Sequence, residues 1–240
     1  MNHTHNELGQ PIGPPLPNWV PPTVPPREVM VGRYTRLEPL DASIHAEVLF
    51  REFARDPSGR SWTYLSAGPF PNAAAYREWI ALRTAGDDPI FFAILDRSTR
   101  EPLGIASYLR ITPASGSIEV GHLHFSPRIK GTSIATEAMV LMMAKAFALG
   151  YRRYEWKCDS LNAASRAAAL RLGFTFEGVF RQATVYKGRT RDSAWFSVID
   201  SEWPKLKVAF DAWLAPENFV ENGLQRSRLS DLTADAIRTG

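Results

Sequence analysis

The chain has a single cysteine, Cys158, among its 240 residues. One cysteine excludes an intrachain disulfide and a zinc site built from several cysteines, and it favours a reducing, cytoplasmic location. No apolar run reaches the roughly 18 residues that span a bilayer, and the first five residues lack the pattern of a signal peptide. The 28 basic side chains barely outnumber the 25 acidic ones, too small an excess for a nucleic-acid-binding surface. We therefore expect neither nucleic acid nor a membrane as a partner.

What is present is a globular composition with one unusual segment. Hydrophobic residues make up 45% of the chain and charged residues 22%, which is typical of a domain with a sizeable core. Eight of the 18 prolines fall in residues 1–28. Because proline fixes φ and lacks a backbone donor, this N-terminal segment is predicted to run extended, covering a neighbouring subunit or the substrate cleft. The main domain is predicted at residues 29–203, and a C-terminal helix with a mobile tail at residues 204–240.

Hydrophobic alternation and turn signals predict one mixed sheet. Three successive strands are predicted at residues 90–96, 102–111 and 117–125, joined by short polar links typical of hairpins. A buried helix is predicted at residues 134–149 and a further strand at residues 153–159. The other predicted elements are a strand at 34–40, helices that follow Asp41, Asn72 and Asn162, and closing strands near 174–182 and 194–200. This order indicates an α/β or α+β domain.

The loop between the third of these strands and the long helix carries the strongest chemical signal. Residues 128–133 read Arg-Ile-Lys-Gly-Thr-Ser and combine basic residues with small ones. A helix N-terminus presents unpaired N–H groups and the positive end of its dipole, and Gly131 allows close approach to the backbone. The pattern favours a diphosphate site, with an ordinary capped helix as the alternative.

Several motifs in this order resemble the GCN5-related N-acetyltransferase (GNAT) superfamily, and within it the ribosomal-protein-alanine-acetyltransferase-like branch (RimJ/RimL type). The loop at residues 128–133 is similar to the family's (Gln/Arg)-x-x-Gly-x-(Gly/Ala) pattern, except for Ser133 at the last position. Residues 134–138, Ile-Ala-Thr-Glu-Ala, look like the start of the branch's helix. The other matching motifs are Asn162-x-x-Ser165, Gly173-Phe174 and Glu177-Gly178 followed by Arg181. The resemblance covers residues 29–203.

The resemblance implies both a fold and a reaction. The fold would be a mixed, mostly antiparallel sheet with helices on both faces, splayed where acetyl-CoA binds. The reaction would transfer the acetyl group of acetyl-CoA to a primary amine, of a small molecule or of a protein N-terminus, by direct attack in a ternary complex without a metal. A different acyl donor stays open, as do a homodimer and a CoA-binding sensor or interaction module that has lost catalysis.

The resemblance also assigns acetyl-CoA to particular residues. The diphosphate would sit on the backbone amides from Lys130 to Ala135, and the pantetheine arm would pair with the strand backbone at His124 and Phe125. Asn162 would contact the same arm, cap the helix that follows it, or do both. The predicted cofactor-binding residues are His124, Phe125, Arg128, Lys130, Gly131, Thr132, Ser133, Ile134, Ala135, Thr136 and Asn162.

Two side chains are candidates for proton transfer. Many relatives place a tyrosine seven residues after the asparagine, where this chain has Ala169, whereas the resembled branch uses a serine three residues after it. That serine is Ser165, which would protonate the departing thiolate or only cap the helix. Glu119 would be the general base, directly or through water, or else a solvated strand carboxylate.

Other residues bear on the base and on the substrate. Strict alternation puts His122 and His124 on the opposite face of the strand from Glu119, unless a bulge intervenes. Thr184 stands where RimJ/RimL relatives carry a glutamate, which argues against a ribosomal-protein substrate. Cys158 alternates with aromatic residues and has no adjacent base, so covalent catalysis is not expected.

Substrate selection is expected from the link between the first two helices. Trp62, Tyr64 and Phe70 cluster there in the sequence. Aromatic side chains wall amine pockets through cation–π contacts. The same three residues would equally serve as core, and no acidic run marks a strongly cationic substrate.

Overall fold

The computed structural model describes residues 4–220 and 224–238. In chain order, the strands are β1 (Thr4–His5), β2 (Pro11–Ile12), β3 (Met30–Val31), β4 (Thr35–Pro39), β5 (Ile90–Asp96), β6 (Pro102–Thr112), β7 (Ser117–Phe125), β8 (Arg153–Asp159), β9 (Thr175–Tyr186) and β10 (Arg189–Ile199). The helices are α1 (Ala42–Phe53), α2 (Ala73–Thr84), α3 (Ser133–Ala148), α4 (Ala163–Arg171), α5 (Trp203–Leu214) and α6 (Leu229–Arg238). None of these helices is both long and apolar enough to cross a membrane.

Eight of the strands form one sheet in the order β3-β4-β5-β6-β7-β8-β10-β9, and β1 pairs with β2 apart from it. Within the large sheet β7 and β8 run parallel, while every other neighbouring pair is antiparallel. One face packs against α3 around side chains such as Tyr108 and Tyr154. The other face packs against α1 and α2 around Tyr76 and Phe91. The predicted mixed, mostly antiparallel sheet with helices on both faces is confirmed.

Local signals explain where the elements begin. The Asp41 carboxylate accepts the N–H groups of Ser43 and Ile44, and the Asn72 amide oxygen accepts that of Ala75, so both residues cap helices as predicted. β5, β7 and β8 have the predicted bounds. The closing strands β9 and β10 run further than predicted because a bulge, in which the Gln182 N–H donates to Asp192, lets the hairpin extend beyond it.

The N-terminal segment packs at the end of the domain where α3 stops. Its residues 4–28 contain two short strands and no helix, as expected for a proline-rich stretch. The Thr23 carbonyl accepts a hydrogen bond from the Tyr151 hydroxyl at 3.2 Å, and Glu28 forms an ion pair with Lys145 near the C-terminus of α3. Pro22 and Pro25 are buried. The segment is therefore part of the packed structure.

The C-terminal part carries a helix that is not predicted from the sequence. A mobile tail is expected after residue 223, yet residues Leu229–Arg238 form α6. Leu229 and Thr233 are its buried residues, and the Thr233 hydroxyl donates to the Arg171 carbonyl at 3.2 Å. The parts of the expected tail at residues 221–223 and 239–240 lie outside the described residues.

One buried carboxylate fixes α3 to the sheet. Glu137 is 5% exposed, and its carboxylate accepts the backbone N–H groups of Arg33, Tyr34 and Thr35 at 2.6–2.8 Å. A Cβ atom on Gly32 would come within 2.3 Å of that carboxylate, so glycine is required by the close approach. Because α3 begins at the predicted diphosphate loop, Glu137 also sets the position of that loop.

Replacing Glu137 with Gln should destabilise the protein. The neutral amide offers one acceptor oxygen in place of two charged ones, and we expect the free energy of unfolding to fall by about 3 kcal/mol. Urea denaturation of E137Q measures the loss, with E47Q at the exposed Glu47 as the matched control. A loss no larger than that of E47Q would contradict the anchoring role.

Candidate active site

The strands β7 and β8 separate after a short paired stretch. Their parallel pairing joins residues 117–120 to residues 153–156. Beyond it β7 continues to Phe125 against β6 alone, and β8 continues to Asp159 against β10 alone. The backbone of residues 121–125 therefore has a free edge on the β8 side. The predicted splay of the sheet is confirmed.

A cavity of about 1550 Å³ opens at this gap and brings together most of the predicted site. The predicted residues that line it are Tyr64, His124, Phe125, Lys130, Gly131, Thr132, Ser133, Ala135, Thr136, Asn162 and Ser165. The predicted residues outside its lining are Trp62, Phe70, Glu119, Arg128 and Ile134. No residue of 4–28 lines it either, so this described part of the N-terminal segment does not cover the cleft.

The N-terminus of α3 faces the cavity without a side-chain cap. Thr132 is the N-cap residue, but its hydroxyl donates to the Ile129 carbonyl at 2.8 Å and caps no N–H group. Gly131 has φ +77° and open space around the position of a Cβ atom. This backbone favours glycine, and the first N–H groups of the helix stay available to an anion.

Two residues of the predicted diphosphate loop, Arg128 and Ile134, do not line this cavity. The Arg128 guanidinium lies 2.8 Å from the Glu101 carboxylate and 3.4 Å from that of Glu52, so two acids already balance its charge. Ile134 lines a separate cavity of about 450 Å³. Among the predicted loop cations, Lys130 is therefore the one at the main cavity.

The α4 motif places a hydroxyl group in the cavity. The Asn162 amide oxygen accepts the Ser165 N–H at 3.1 Å, which shows the capping role. The Ser165 hydroxyl accepts the indole N–H of Trp156 at 3.0 Å, and it also interacts with the Cys158 side chain. Ala169, which stands where many relatives carry a tyrosine, is completely buried.

Burial raises the pKa of the Cys158 thiol, which argues against a thiolate nucleophile at this position.

Glu119 is a buried ion-pair partner. It is 2% exposed, and its two oxygens accept from the Arg110 guanidinium at 2.7 and 2.9 Å. The Lys157 ammonium lies 3.0 Å from the same carboxylate and 2.7 Å from that of Glu155. Glu119 is thus occupied by cations and does not reach the cavity lining.

A β-bulge changes the predicted faces of the two histidines. Gly121 pairs with Ser107 and His124 with Ile105, so two residues of β7 oppose one residue of β6, and His122 has φ +51°. Ile118 and Val120 point to the α3 side of the sheet, so Glu119 points to the other. His122 packs on Phe91 and His124 stacks on Phe53, both on that other side. The alternation that separated the histidines from Glu119 is therefore wrong.

Both histidines are neutral near neutral pH. Burial, with the positive charges of Arg83 and Arg110, lowers the pKa of His122 to about 4. Burial and the charge of Lys130 lower the pKa of His124 to about 3. His122 bonds the Ser107 hydroxyl at 2.7 Å, and His124 bonds the Ser61 hydroxyl at 3.1 Å.

The aromatic residues of the α1–α2 link divide between core and cavity. Trp62 is 7% exposed and packs against Phe53, Phe70 and His124. Trp62 and Phe70 thus belong to the core side of the wall. Tyr64 lines the cavity, and its hydroxyl donates to the Leu161 carbonyl at 3.2 Å.

Polar residues that were not singled out from the sequence complete the cavity. Asp56 and Ser61 line the end beside Tyr64, and Arg171 lines the end beside the C-terminal segment. Hydrogen bonds from the Ser58 hydroxyl and from Ser61 hold the pKa of Asp56 well below its usual range, so this carboxylate is ionised. The sequence Asp-Pro-Ser-Gly at residues 56–59 predicts a turn, but it does not show that this turn faces the cavity. Within residues 4–220 and 224–238, no three His, Cys, Asp or Glu side chains are grouped as metal ligands.

Comparison with known proteins gives consistent relatives. The acetyltransferase (GNAT) domain family matches residues 35–175. A GCN5-related N-acetyltransferase from Brucella melitensis is 46% identical over 91% of this chain and 100% of its own, with a TM-score of 0.89. A GNAT-family protein from Chromobacterium violaceum ATCC 12472 is 44% identical over 81% of this chain and 98% of its own, with a TM-score of 0.77. No curated protein matches the chain.

A more distant relative shares the fold alone. It is an acetyltransferase from Salmonella typhimurium that modifies the N-terminal serine of ribosomal protein L7/L12, and it is 22% identical with a TM-score of 0.61. The match covers 72% of this chain and 99% of that one. The splayed sheet, the matching family and the two relatives at 46% and 44% identity together define an acyl-CoA-dependent acetyltransferase, a class that transfers the acetyl group of acetyl-CoA to an amine. The chain belongs to the GNAT family.

The ion pairs of Glu119 predict a structural cost for its neutralisation. Glu119→Gln removes the carboxylate that is hydrogen-bonded to Arg110 and leaves Lys157 with the ion pair to Glu155, and we expect the free energy of unfolding to fall by about 3 kcal/mol. Urea denaturation and kcat/KM are measured on the same samples, with E217Q at the exposed Glu217 as the control. An unchanged stability with a lower kcat/KM would instead identify Glu119 as the base.

The lowered pKa of His122 predicts acid sensitivity. Below its ordinary pKa of about 6.5 the unfolded chain binds a proton that the folded protein excludes, so stability falls as the pH drops from about 6.5 to about 4. His122 alone accounts for about 3 kcal/mol across that range. His122→Gln should flatten the pH dependence measured by urea denaturation, whereas His5→Gln at the exposed N-terminal strand should not. Parallel curves for H122Q and wild type would contradict the assignment.

Proposed function

We propose that this protein acetylates a primary amine by direct attack on acetyl-CoA in a ternary complex. The observation that carries the proposal is the cavity that joins the uncapped N-terminus of α3 to the free edge of β7. A diphosphate needs N–H donors and positive potential, and the amide groups of a pantetheine arm need an unpaired strand edge. Both requirements meet in one cleft.

In the proposed complex the backbone amides from Lys130 to Ala135 bind the diphosphate, with the charge of Lys130 beside them. The backbone at His124 and Phe125 pairs with the pantetheine arm. The Asn162 amide oxygen caps α4, so its nitrogen is the group left for the same arm. The side chains of Arg128 and Ile134 lie outside the cavity lining, and of these two residues only the backbone of Ile134 is assigned a contact.

The acceptor amine is assigned to the end of the cavity beside the α1–α2 link. Asp56, Ser61, Tyr64 and His124 line this end. The ionised Asp56 carboxylate attracts an ammonium group, which must lose a proton before it attacks. An α-amino group titrates near 8 and a lysine near 10.4, so an α-amine needs less help from a base. Trp62 and Phe70 support this wall from the core side and are not assigned a substrate contact.

The proposed chemistry divides proton transfer between two groups. Acetyl-CoA supplies the acetyl group as a thioester; the amine nitrogen bonds to its carbonyl carbon while the carbon–sulfur bond breaks. The Ser165 hydroxyl donates its proton to the departing sulfur. The amine loses one proton, which passes through water to Glu119, the predicted base, and finally replaces the proton that Ser165 gave to the sulfur, so the products are the amide and the CoA thiol.

Calorimetry with acetyl-CoA and a CoA-release assay against peptides, polyamines, aminoglycosides and amino-acid conjugates test this function. We expect Ser165→Ala to lower kcat about 100-fold while the Kd of acetyl-CoA changes little, because the hydroxyl acts on the leaving group and not on binding. S201A, at an exposed serine, is the matched control. Equal activity of S165A and wild type would contradict the role of Ser165.

The same experiment decides between an acetyltransferase and a CoA-binding module that has lost catalysis. Acetyl-CoA binding without turnover of any amine would favour a CoA-binding sensor or interaction module, which the absence of a tyrosine at Ala169 supports. Faster turnover with another acyl-CoA would identify that compound as the acyl donor in place of acetyl-CoA. No binding at all would contradict the proposal.

The finer assignments stay predictions. The RimJ/RimL resemblance favours a protein N-terminus as acceptor, whereas Thr184 argues against a ribosomal-protein substrate. A cytoplasmic location is consistent with one buried, free Cys158. A homodimer stays open as the assembly, and the exposed outer strand β9 is a surface that offers unpaired backbone groups for it.

A further inference from the structure

The end of the β9–β10 hairpin carries an excess of positive charge. Residues 181–192, which we call the basic hairpin, contain four basic residues and one acid: Arg181, Lys187, Arg189, Arg191 and Asp192. This local excess equals the formal net charge of +3 of the whole chain. Within residues 4–220 and 224–238, no carboxylate forms an ion pair with any of the four cations. The charge of the basic hairpin is therefore available to a ligand.

The basic hairpin contacts the part of the chain that walls the proposed amine site. The Lys187 ammonium donates to the Trp62 carbonyl oxygen at 2.8 Å. Trp62 belongs to the α1–α2 link and follows Ser61, which lines the cavity. The Tyr186 hydroxyl donates to the carboxylate of Asp159, the last residue of β8, at 2.9 Å. The tip of the hairpin thus lies against the α1–α2 link and the end of β8, beside the end of the cavity proposed for the acceptor.

Strand register places two of the arginines on the face that looks toward this end. Arg189 pairs with Tyr186 and Arg191 with Thr184, and paired residues of antiparallel strands point to the same side. Arg189 and Arg191 are two residues apart in β10, so they share one face with Tyr186 and Thr184. Tyr186 reaches Asp159 from that face, and the Arg191 guanidinium carbon lies 5.8 Å from the Tyr186 ring centroid. Thr184 adds no opposing charge.

The contacts of Lys187 and Arg191 leave hydrogen-bond donors unused. Of the three N–H groups of Lys187, one is bonded to the Trp62 carbonyl, and burial lowers the pKa of this ammonium. The Nε atom of Arg191 is buried and has no hydrogen-bond partner among the described residues. Partly buried cations without a counter-charge are energetically costly, and an anionic group on a ligand offsets that cost. A carboxylate suits this role, because the guanidinium fork matches its two oxygens.

The spacing of the cations suits an extended acidic peptide. Side chains on one face of a strand repeat every two residues, about 7 Å apart. An extended peptide beside the hairpin presents every second side chain toward it at the same interval. Acidic residues at alternate positions of that peptide would therefore meet Arg189 and Arg191 in succession.

The charge at the acceptor end of the cavity gives this binding a direction. The ionised Asp56 carboxylate attracts an ammonium group, whereas the basic hairpin attracts carboxylates. A polypeptide with a free α-ammonium group followed by acidic side chains satisfies both. Polyamines and aminoglycosides carry several positive charges, and the basic hairpin repels them.

We propose that the basic hairpin selects a polypeptide acceptor whose N-terminal segment is rich in aspartate and glutamate. The α-amine enters the cavity, and the acidic side chains bind along Lys187, Arg189 and Arg191. This inference rests on the proposed function and narrows its substrate class, because the selected amine is the one that attacks acetyl-CoA.

A CoA-release assay on wild type with three peptides tests the selection. The peptides begin Ser-Glu-Ala-Glu, Ser-Gln-Ala-Gln and Ser-Lys-Ala-Lys and are otherwise identical. We expect kcat/KM to be about 10-fold higher for the Glu peptide than for the Gln peptide, through a lower KM, and to be lowest for the Lys peptide. The difference should disappear in about 1 M NaCl, where the Debye length falls to about 3 Å.

The outcomes separate this inference from the proposed function. Equal kcat/KM for the Glu and Gln peptides, or turnover of small-molecule amines but of no peptide, would overturn the inference and leave the proposed function intact. Free glutamic acid as a better acceptor than the Glu peptide would overturn the polypeptide assignment. Absence of turnover with every amine would overturn both.

Arg189→Gln tests the hairpin itself. Arg189 is exposed, so the variant should fold, and thermal unfolding checks this. We expect the ratio of kcat/KM between the Glu and Gln peptides to fall about three-fold, as the loss of one exposed charge contact gives, and to fall further in R189E. R51Q, at the exposed Arg51 of α1, is the matched control and should keep the wild-type ratio. An unchanged ratio in both R189Q and R189E would overturn the role of the hairpin.

Discussion

The separation of β7 from β8 is the constraint on which the rest of the site depends. Four residue pairs hold the two strands together, after which each strand is hydrogen-bonded on one side only. Backbone groups left free at the centre of a sheet require another partner. Because α3 is the element that follows β7 and α4 the element that follows β8, the same separation brings the predicted diphosphate loop and Ser165 to one cleft. Glu137 then holds α3 in that position.

The strands and the loop that surround this site are predictable from local sequence patterns. The bounds of β7 and β8 follow from alternation and those of β5 from a continuous apolar run, and the loop at residues 128–133 is contiguous in sequence. The bulge at His122 was not predictable, because the side-chain pattern assumes a strict two-residue period. Only the register of β7 against β6 shows that an extra residue is inserted. One inserted residue was enough to move two histidines to the face of Glu119.

Charge partners from distant strands account for the other differences. Glu119 and Arg128 have the residue types expected of a base and a phosphate ligand, but their partners come from β6, β8, α1 and the β5–β6 turn. Sequence spacing carries no information about such pairs. Helix α6 was missed for a related reason. It buries only Leu229 and Thr233, so its apolar pattern is too short to stand out from a polar tail.

The two segments that flank the domain differ in what they touch. The N-terminal segment packs where α3 ends, whereas Trp213 and Phe219 of the C-terminal part line the cavity that the start of α3 faces. The 16 residues of α3 place those two ends about 24 Å apart. Substitutions or insertions in residues 4–28 can therefore accumulate during evolution without reaching the cleft. Substitutions at Trp213 and Phe219, in contrast, would change the shape of the cavity wall directly.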